Sequence, residues 1–390
     1  MYKIVLFIQV CFYIALAFIV KLFVKKNSKK EKTILFLPAF FPENAGYHWR
    51  VQKWADVLQE NGYSVTIKQA NYKDDYYKLL GINHSLLLIK FLNKRFWHVL
   101  SSRKYNKVIV RRELLPFNEY GNLFLEKLLL KIHPDAILDF DDDIAFSKGE
   151  PREIKSLYGK ILGENGNKFT ESLNMYSNFF VGSNYLKNYV LNINPNAQIE
   201  VIPTCVDYEK YAPKVYDASK KEIVFGWVGS NSNLFLLDSI IDSLNTISKN
   251  NTISLLVISG KDYKNSKAAF PIVNIPWSLE SEIEDIKKMD IGLMPLLNTK
   301  RDKGKAGFKL IQYMGLGIAS IASNVTVNGE IVDDHINGFL VDEDWTIVLE
   351  DVISKKQNFE EIGRLARKKI NDYYSFNSNL PKYLNLVHRV

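Results

Sequence analysis

Short apolar segments alternate with segments of helical periodicity along nearly the whole chain after residue 32. The apolar run KTILFLPAF, residues 32–40, is followed by a polar loop, by the amphipathic segment YHWRVQKWADVLQENG and by a second apolar run, YSVTIKQ. Gly62 ends the amphipathic segment and is a typical helix stop. A strand, a helix and a strand in this order form the unit of a parallel sheet with helices on both faces. The alternation therefore predicts an α/β fold.

This alternation occurs in two series. The first continues through YNKVIVRREL and DAILDFDDD and ends with IEVIPTCVD, and the second begins at KEIVFGWVGS, residues 221–230. A chain of 390 residues is too long for one ordinary core. We therefore predict two doubly wound, Rossmann-like domains that face each other across a cleft, at 33–206 and 221–370, joined by a linker at 207–220.

The N-terminus is a long apolar run. Residues 4–20 contain only Gln9 as a polar interruption, and Leu22–Val24 extend the run beyond Lys21. About 20 apolar residues suffice to span a bilayer, and the lysines that follow place the rest of the chain in the cytoplasm by the positive-inside rule. We predict a membrane anchor over 4–24, within a basic segment 1–32, at the cytoplasmic face of the inner or plasma membrane. A cleaved signal peptide and an interfacial helix are the alternatives.

Most of the net charge of +8 belongs to this N-terminal segment. Residues 1–32 contain seven lysines and one glutamate, which leaves a charge of +2 for the remaining residues. A nearly neutral body predicts no nucleic-acid partner. The two cysteines, Cys11 and Cys205, allow at most one disulfide and form no ligand cluster with the six scattered histidines.

Two segments of the second domain suit a pyrophosphate group. In GWVGSNSN, Gly226 and Gly229 permit close backbone approach, and the amides of Ser230–Asn233, including Asn231, can open a helix that points at an anion. In GKAGFKLIQYMGLG, Lys305 and Lys309 would stack one helical turn apart at a helix start, where the macrodipole disfavours cations unless an anion lies between them. The alternatives are ordinary turn glycines and a solvated helix face.

An acidic cluster follows a strand of the first domain. Asp139, Asp141, Asp142 and Asp143 lie in LDFDDDIAF, where so many close carboxylates repel one another and a hard cation such as magnesium or manganese would relieve them. The alternative, which we prefer, is that Asp141 or Asp142 orients an acceptor hydroxyl or supports a base, without a metal.

Four segments of the chain carry a resemblance to a known family: FFPENAGYHWRVQKWADVL, FGWVGSNSN, DIGLMPL and GKAGFKLIQYMGLGIASIASNVTVNGEIVDDHINGFLV. Together they resemble the group 1 (family 4) glycosyltransferases of the GT-B fold, especially bacterial members that build cell-surface polysaccharides. The similarity spans residues 33–390. It implies that the second domain holds a nucleotide-sugar, that the first holds the acceptor, that transfer is retaining, and that neither metal nor cofactor is needed. It also implies a final helix, 371–390, that crosses back to the first domain.

The resemblance assigns roles to several residues of the second domain. Lys305 and Lys309 resemble the basic residues that hold the donor diphosphate, and the amides around Gly229 and Ser230 resemble the first phosphate loop. Many members carry two glutamates eight residues apart, but here these positions are Gly304 and Gln312. Contact of Gln312 with the ribose is therefore in doubt. The stretch Asn328, Gly329 and Glu330 matches the segment beside the sugar-nucleotide, and Glu330 is the alternative ribose ligand.

On the acceptor side, PENAGYHWR occupies the position of the family's acceptor loop. Gly46 would permit close approach, His48 would exchange a proton, and Arg50 would bind an acceptor phosphate. Arg111, with Arg112 and Glu113, either lines the acceptor side or makes an ordinary ion pair.

The sequence therefore predicts a membrane-anchored glycosyltransferase that moves a sugar from a nucleotide-sugar to a lipid-linked or polysaccharide acceptor. A non-catalytic scaffold that binds nucleotide-sugars, and a metal-dependent transferase that uses Asp139–Asp143, are alternatives. A nicotinamide-dependent oxidoreductase is disfavoured, because no G-x-G-x-x-G follows a strand with an acidic residue about 20 positions later.

Overall fold

The computed structural model describes residues 2–25, 31–70, 85–115, 123–142, 168–210, 212–217 and 219–389. The chain forms two compact units, Met1–Pro203 with Leu380–Val390, and Thr204–Asn379. The sequence analysis placed the linker between the two domains at 207–220 and the start of the helix that returns to the first domain at 371. In the structure, the boundaries between the units lie at 203–204 and at 379–380.

The first unit contains a sheet of six parallel strands. They are β1 (Thr33–Pro38), β2 (Ser64–Ile67), β3 (Lys107–Arg111), β4 (Ile137–Phe140), β5 (Asn178–Val181) and β6 (Gln198–Val201). β1, β3, β4 and β5 are buried along their whole length, as expected for central strands covered on both faces. The strand order is β2-β1-β3-β4-β5-β6, so the direction of winding reverses between β1 and β3.

Seven α-helices belong wholly to the described part of this unit. They are α1 (Tyr2–Phe23), α2 (Ala45–Tyr47), α3 (Lys53–Glu60), α4 (Ser85–Ser101), α5 (Phe124–Ile132), α6 (Lys168–Leu173) and α7 (Asn184–Ile193). A π-helical segment, His48–Gln52, joins α2 to α3. Gly62 has φ 82°, a left-handed conformation that ends α3 where the sequence predicted a stop.

The N-terminal helix α1 is part of the first unit's core. Val10, Tyr13 and Ala17 are buried there, and the helix contacts α4 and α5. Within the described ranges, no helix combines the length and the apolar character that crossing a bilayer requires. The predicted anchor over 4–24, and with it the predicted location at a membrane face, is therefore wrong. An apolar run suits a buried helix as well as a membrane span, and here one face of the run packs against protein.

The second unit repeats the architecture with six parallel strands. They are β7 (Ile223–Val228), β8 (Ile253–Ser259), β9 (Ile272–Pro276), β10 (Ile291–Met294), β11 (Ser320–Ser323) and β12 (Phe339–Val341). The order is β12-β11-β10-β7-β8-β9, so winding reverses between β7 and β10. Two Rossmann-like sheets are thus present, as the alternation in the sequence predicted.

The helices of the second unit flank this sheet. They are α8 (Ile241–Ser248), α9 (Glu282–Ile286), α10 (Lys300–Lys303), α11 (Phe308–Gly315), α12 (Asn328–Ile331), α13 (Trp345–Ser354) and α14 (Phe359–Tyr374). A 3₁₀ helix, Asn231–Ile240, leads from β7 to α8. Shorter 3₁₀ turns lie at Ser102–Lys104 in the first unit and at Tyr208–Lys210 and Lys356–Asn358 in the second.

The last helix, α15 (Phe376–His388), begins in the second unit and ends in the first. Its Tyr383 ring is stacked 4.0 Å from the Trp54 ring and 4.2 Å from the Phe180 ring, measured between centroids. Trp54 belongs to α3 and Phe180 to β5, so Tyr383 is an aromatic anchor that holds the end of the chain in the core of the first unit.

Candidate active site

Each sheet offers a binding position where its winding reverses. In doubly wound folds, ligands bind outside the carboxyl ends of the strands at such a reversal, because the connecting loops diverge there. In the second unit, the loop after β7 contains Gly229, Ser230 and Asn231, and the chain that follows β10 contains Lys305 and Lys309. The topology thus brings the two predicted phosphate-binding segments to the same end of the sheet.

Lys309 crosses the loop that follows β7. A Cβ atom on Gly229 would lie 2.8 Å from Lys309 Cε and 2.6 Å from the Trp227 ring, so a larger residue here would displace the end of the lysine side chain or the ring. Lys309 Nζ lies 4.3 Å from the centroid of the Trp227 ring, which is buried. This is a cation–π contact, and it fixes the ammonium group beside the loop.

Tyr313 fixes the helix that carries Lys309. Its hydroxyl accepts a hydrogen bond of 2.9 Å from the backbone N–H of Val228 at the end of β7. Its ring covers Gly292 of β10, where a Cβ atom would lie 2.3 Å from the ring. α11 is therefore tied to both strands that flank the reversal.

Lys305 and Lys309 are not stacked one helical turn apart, which corrects the sequence prediction. Gly307 has φ 66°, a left-handed conformation that lets α11 begin only at Phe308, so Lys305 lies before the helix. A Cβ atom on Gly307 would lie 2.4 Å from Ile331 Cδ1 of α12. The glycine is therefore required both by its backbone angle and by the close packing of α12.

Lys305 is neutralised by a nearby carboxylate. Its Nζ lies 2.9 Å from Oδ1 of the buried Asp302, and Asp302 Oδ2 accepts hydrogen bonds from Thr299 Oγ1 at 2.9 Å and from the Leu297 N–H at 3.2 Å. Burial alone would raise the pKa of Asp302, but the hydrogen bond and charge of Lys305 outweigh it and lower that pKa. Sequence analysis missed Asp302, although it lies three residues before Lys305.

Ser230 and Asn231 are exposed at the start of the 3₁₀ helix. Ser230 Oγ accepts a hydrogen bond of 3.0 Å from Asn233 Nδ2, and Asn231 Oδ1 accepts one of 3.1 Å from Ser259 Oγ. These bonds order the loop. The first N–H groups of a helix have no acceptor within it, so this ordered start is suited to an anion.

Gln312, which replaces a glutamate of the resembled family, lies next to a buried acid. Glu282 of α9 is 4 % exposed and accepts a hydrogen bond of 2.7 Å from Trp277 Nε1. Burial raises the pKa of Glu282, while the hydrogen bond from Trp277 and the nearby Gln312 amide oppose the rise. A carboxyl group is therefore present beside residue 312, supplied by a different helix that sequence analysis did not connect with this position.

The stretch Asn328–Glu330 lies in α12, which packs against the start of α11. Asn328 is buried and its Nδ2 donates a hydrogen bond of 3.0 Å to the Ser323 carbonyl at the end of β11. Gly329 and Glu330 are exposed. Asn328 therefore holds the turn, and the two residues after it face solvent near Lys309's helix.

We predict that Gly229→Ala weakens binding of a nucleoside diphosphate by about tenfold, because the added methyl group displaces the Lys309 side chain. Titration calorimetry with each nucleoside diphosphate measures the effect. Gly62→Ala is a control remote from this loop, since nothing lies within 4 Å of its added Cβ, although its φ of 82° strains an alanine there. Equal nucleotide affinity in Gly229→Ala and the wild type would contradict the assigned path of Lys309.

In the first unit, arginines and aspartates pair at the carboxyl edge of the sheet. Arg111 and Asp139 are in register on β3 and β4. Arg50 Nε donates to Asp139 Oδ2 at 3.2 Å and Nη1 donates to the Ile202 carbonyl at 2.8 Å, while Arg111 Nη1 lies 3.4 Å from Asp139 Oδ2. Both arginines are 2 % exposed. They therefore hold this edge together, and the predicted binding of an acceptor phosphate by Arg50 gains no support from so buried a group.

Asp141 is the second acid of this network and pairs with Arg111 Nη2. Burial alone would raise its pKa, but the guanidinium charges of Arg111 and Arg50 outweigh burial and hold the pKa of Asp141 well below its usual range. The carboxylate is thus a hydrogen-bond acceptor and a weak base. The arginines also supply the relief of carboxylate repulsion for which the sequence analysis considered a metal.

Asp142 is more exposed than its neighbours, with 53 % of its side chain accessible. Asp143 lies outside the described residues. Across the part of the chain that the structure describes, no three His, Cys, Asp or Glu side chains are placed to hold a metal ion.

Gly46 and His48 follow β1, on the other side of the reversal from Arg111. A Cβ atom on Gly46 would lie 3.6 Å from Arg111 Nη2 and 3.1 Å from Asn44 Oδ1. His48 starts the π-helical segment, a feature often found at functional sites. Burial, helped by the charge of Lys53, lowers the pKa of His48, whereas Asp56 opposes the change. His48 is therefore neutral at pH 7 and able to accept a proton.

The lowered pKa of His48 predicts a pH dependence of stability. The folded state binds the proton more weakly than the unfolded state, so stability is complete above a pH of about 6.5 and falls as the pH drops below it. In His48→Gln this component is absent, and the melting temperature should fall less between pH 7.5 and 5.5. Between pH 7.5 and 8.5, the control range, the melting temperatures of the two proteins should change equally. If they also fell equally between pH 7.5 and 5.5, the lowered pKa of His48 would be contradicted.

The comparisons with known proteins support the fold. No protein-family model matches the chain, and no curated protein matches its sequence. Among solved structures, a sucrose-phosphate synthase from Thermosynechococcus elongatus is similar with a TM-score of 0.66 and 12 % identity, over 91 % of this chain and 98 % of that one.

Two further structures were determined with nucleotides. The catalytic domain of starch synthase IV from Arabidopsis thaliana, bound to ADP and acarbose, has a TM-score of 0.63 at 12 % identity and covers 92 % of this chain and 99 % of its own. Anabaena HepE, in complex with UDP and glucose, has a TM-score of 0.61 at 12 % identity, over 91 % and 99 %. Likeness at this identity shows the fold, and the chain therefore has the GT-B fold of these glycosyltransferases.

Proposed function

We propose that the chain is a glycosyltransferase that moves a sugar from a nucleotide-sugar to a lipid-linked or saccharide acceptor in polysaccharide synthesis. The second unit binds the donor, and the first unit supplies the acceptor side. The likeness to nucleotide-bound enzymes of the same fold supports the donor class.

The observation that carries this proposal is the path of Lys309 across Gly229. It sets an ammonium group, held by the Trp227 ring, next to the loop after β7 at the reversal of the sheet. Departure of a diphosphate develops negative charge, and a fixed cation stabilises that charge more in the transition state than in the ground state. Because the Lys309 ammonium is fixed beside the loop after β7, the proposal makes Lys309 the principal catalytic cation. Lys305, which is paired with Asp302, shapes the loop before it.

On the acceptor side, the proposal assigns orientation rather than strong base catalysis to the carboxylates. Asp141 stays ionised beside Arg111 and can accept a hydrogen bond from an acceptor hydroxyl. A weak base suits a retaining transfer in which the leaving diphosphate itself takes the acceptor proton. Retention and independence from metal are both part of the proposal.

A thermal-shift screen of the full chain with UDP, ADP and GDP and their glucose or mannose conjugates tests the donor assignment. A ligand at one hundred times its Kd stabilises a protein by about 2.7 kcal/mol, which is readily measured. We expect one of the three nucleotides to stabilise the protein. The sugar conjugate of that nucleotide should then yield a glycosylated product when an acceptor is added, even with EDTA present. No stabilisation by any nucleotide would contradict donor binding, whereas binding without transfer to any acceptor would support the scaffold alternative.

A further inference from the structure

Arg112, at the carboxyl end of β3, differs from the two buried arginines beside it. Its backbone N–H donates to the Asp139 carbonyl at 2.8 Å, so its main chain stays attached to β4. Its φ is 70°, in the left-handed region that residues with a side chain seldom adopt. Strained backbone of this kind persists where the surrounding structure requires a particular side-chain position, often at binding sites.

The Arg112 guanidinium rests on an aromatic ring. Its central carbon lies 5.0 Å from the centroid of the Phe40 ring, in the loop after β1. Phe40 and Arg112 therefore meet across the reversal between β1 and β3, the position where ligands bind in such sheets. A ring contact fixes the plane of a guanidinium and leaves its N–H donors available.

These donors have little to bind within the protein. The nearest carboxylate is Asp142, whose Oδ2 lies 4.0 Å from Arg112 Nη1, too far for a hydrogen bond. Considering only the residues that the structure describes, the Arg112 side chain makes no hydrogen bond, and it is 20 % exposed, against 1 % and 3 % for Arg50 and Arg111.

The charges of the edge also set Arg112 apart. Arg50 and Arg111 balance Asp139 and Asp141 in the buried network. Arg112 lies 4.0 Å from the half-exposed Asp142 and contributes only a minor part of the charge that acts on Asp141. A guanidinium with free parallel donors matches the paired oxygens of a phosphate or a carboxylate.

We propose that Arg112, held on Phe40, binds an anionic group of the acceptor, either a phosphate ester or a sugar carboxylate. The proposal rests on the proposed glycosyl transfer, because it places the acceptor at the first unit. It assigns to Arg112 the acceptor-phosphate contact that the sequence analysis predicted for Arg50, whose guanidinium is buried in an internal ion pair.

The test measures binding of charged and neutral probes to the full chain, with the second unit saturated by the nucleotide that the thermal-shift screen identifies. Hexyl phosphate represents a lipid-linked phosphate, methyl glucuronide represents an acidic saccharide, and hexanol and methyl glucoside are their neutral counterparts. We expect one charged probe to bind at least about tenfold more tightly than its counterpart, as charge-assisted hydrogen bonds imply. The probe that shows this advantage identifies the source of the anion.

Arg112→Gln should abolish the charge-dependent advantage, and Arg112→Lys should restore part of it. Arg103→Gln, at an exposed arginine of the same unit, should leave it unchanged. Arg112→Gly should also lose the advantage while melting at the same or a higher temperature, because glycine adopts the left-handed conformation without strain. A purely structural arginine would instead lower the melting temperature on removal.

Equal binding of charged and neutral probes to the wild type would overturn the proposal, as would wild-type anion binding by Arg112→Gln. A failure of UDP, ADP and GDP alike to bind would contradict the proposed function instead. Comparison of the wild type with Arg112→Gln remains valid in that case, since both proteins carry the same second unit.

Discussion

Lys309→Ala is expected to reduce sugar transfer at least about a hundredfold with little change in folding. Loss of one preorganised group that stabilises developing charge costs about 2.7–4 kcal/mol of barrier. The Lys309 ammonium is fixed by the Trp227 ring at 4.3 Å, so its position is preorganised before the diphosphate begins to leave. The measurement is kcat with the nucleotide-sugar found by the thermal-shift screen.

Lys288→Ala is the matched control, because the Lys288 side chain is 56 % exposed and its partner Asp285 lies three residues earlier in the chain, near the end of α9. Its turnover should stay close to that of the wild type. Lys305→Ala should lose less turnover than Lys309→Ala, since the charge of Lys305 is balanced by Asp302. Transfer by Lys309→Ala at the wild-type rate would refute the catalytic role of this lysine.

The alternation of apolar and amphipathic segments was enough to predict the two parallel sheets. Central strands such as β1 and β8 are buried throughout, so their sequences TILFLP and ISLLVIS carry the signal almost without interruption. The pairing of loops at the reversal follows from strand order, which periodicity does not determine. The donor segments were found from their glycines and lysines and from the family pattern that they match, and their convergence became visible only with the order β10-β7.

The N-terminal helix shows where local pattern fails. Residues 4–24 are apolar enough to predict a membrane span, yet Val10, Tyr13 and Ala17 pack in the core of the first unit. Composition measures how much apolar surface a helix has and does not identify the partner that covers it. The partners, α4 and α5, lie about a hundred residues away in the sequence.

Ion pairs between distant residues were likewise not predictable. Arg50 and Asp139 are separated by 89 positions, and nothing in either local sequence indicates the contact. The sequence analysis assigned Arg50 to an acceptor phosphate and considered Asp139 as part of a metal-binding cluster, because each was considered alone. In the fold they neutralise each other, and the neighbouring Arg112 is more accessible than Arg50.

Asp139→Ala is expected to lower the free energy of unfolding by about 3–5 kcal/mol, the usual cost of removing one partner from a buried ion pair. The carboxylate serves two guanidinium groups, those of Arg50 and Arg111, and each is almost fully buried. Removal takes from both buried guanidinium groups a carboxylate that balances their charge, while the hydrogen bond of 2.8 Å from Arg50 Nη1 to the Ile202 carbonyl remains. Urea denaturation followed by circular dichroism measures the loss.

Asp142→Ala is the control for this variant, because a carboxylate with 53 % of its side chain exposed and a partner 4.0 Å away should change stability by less than about 0.5 kcal/mol. The double variant Arg50→Met with Asp139→Leu should recover much of the loss, since replacing both members of a buried pair removes the unpaired charge. If Asp139→Ala were as stable as Asp142→Ala, the ion pairs of Asp139 with Arg50 and Arg111 would not stabilise this edge of the sheet. Binding of an acceptor by Arg50 and Arg111 would then again be a valid hypothesis.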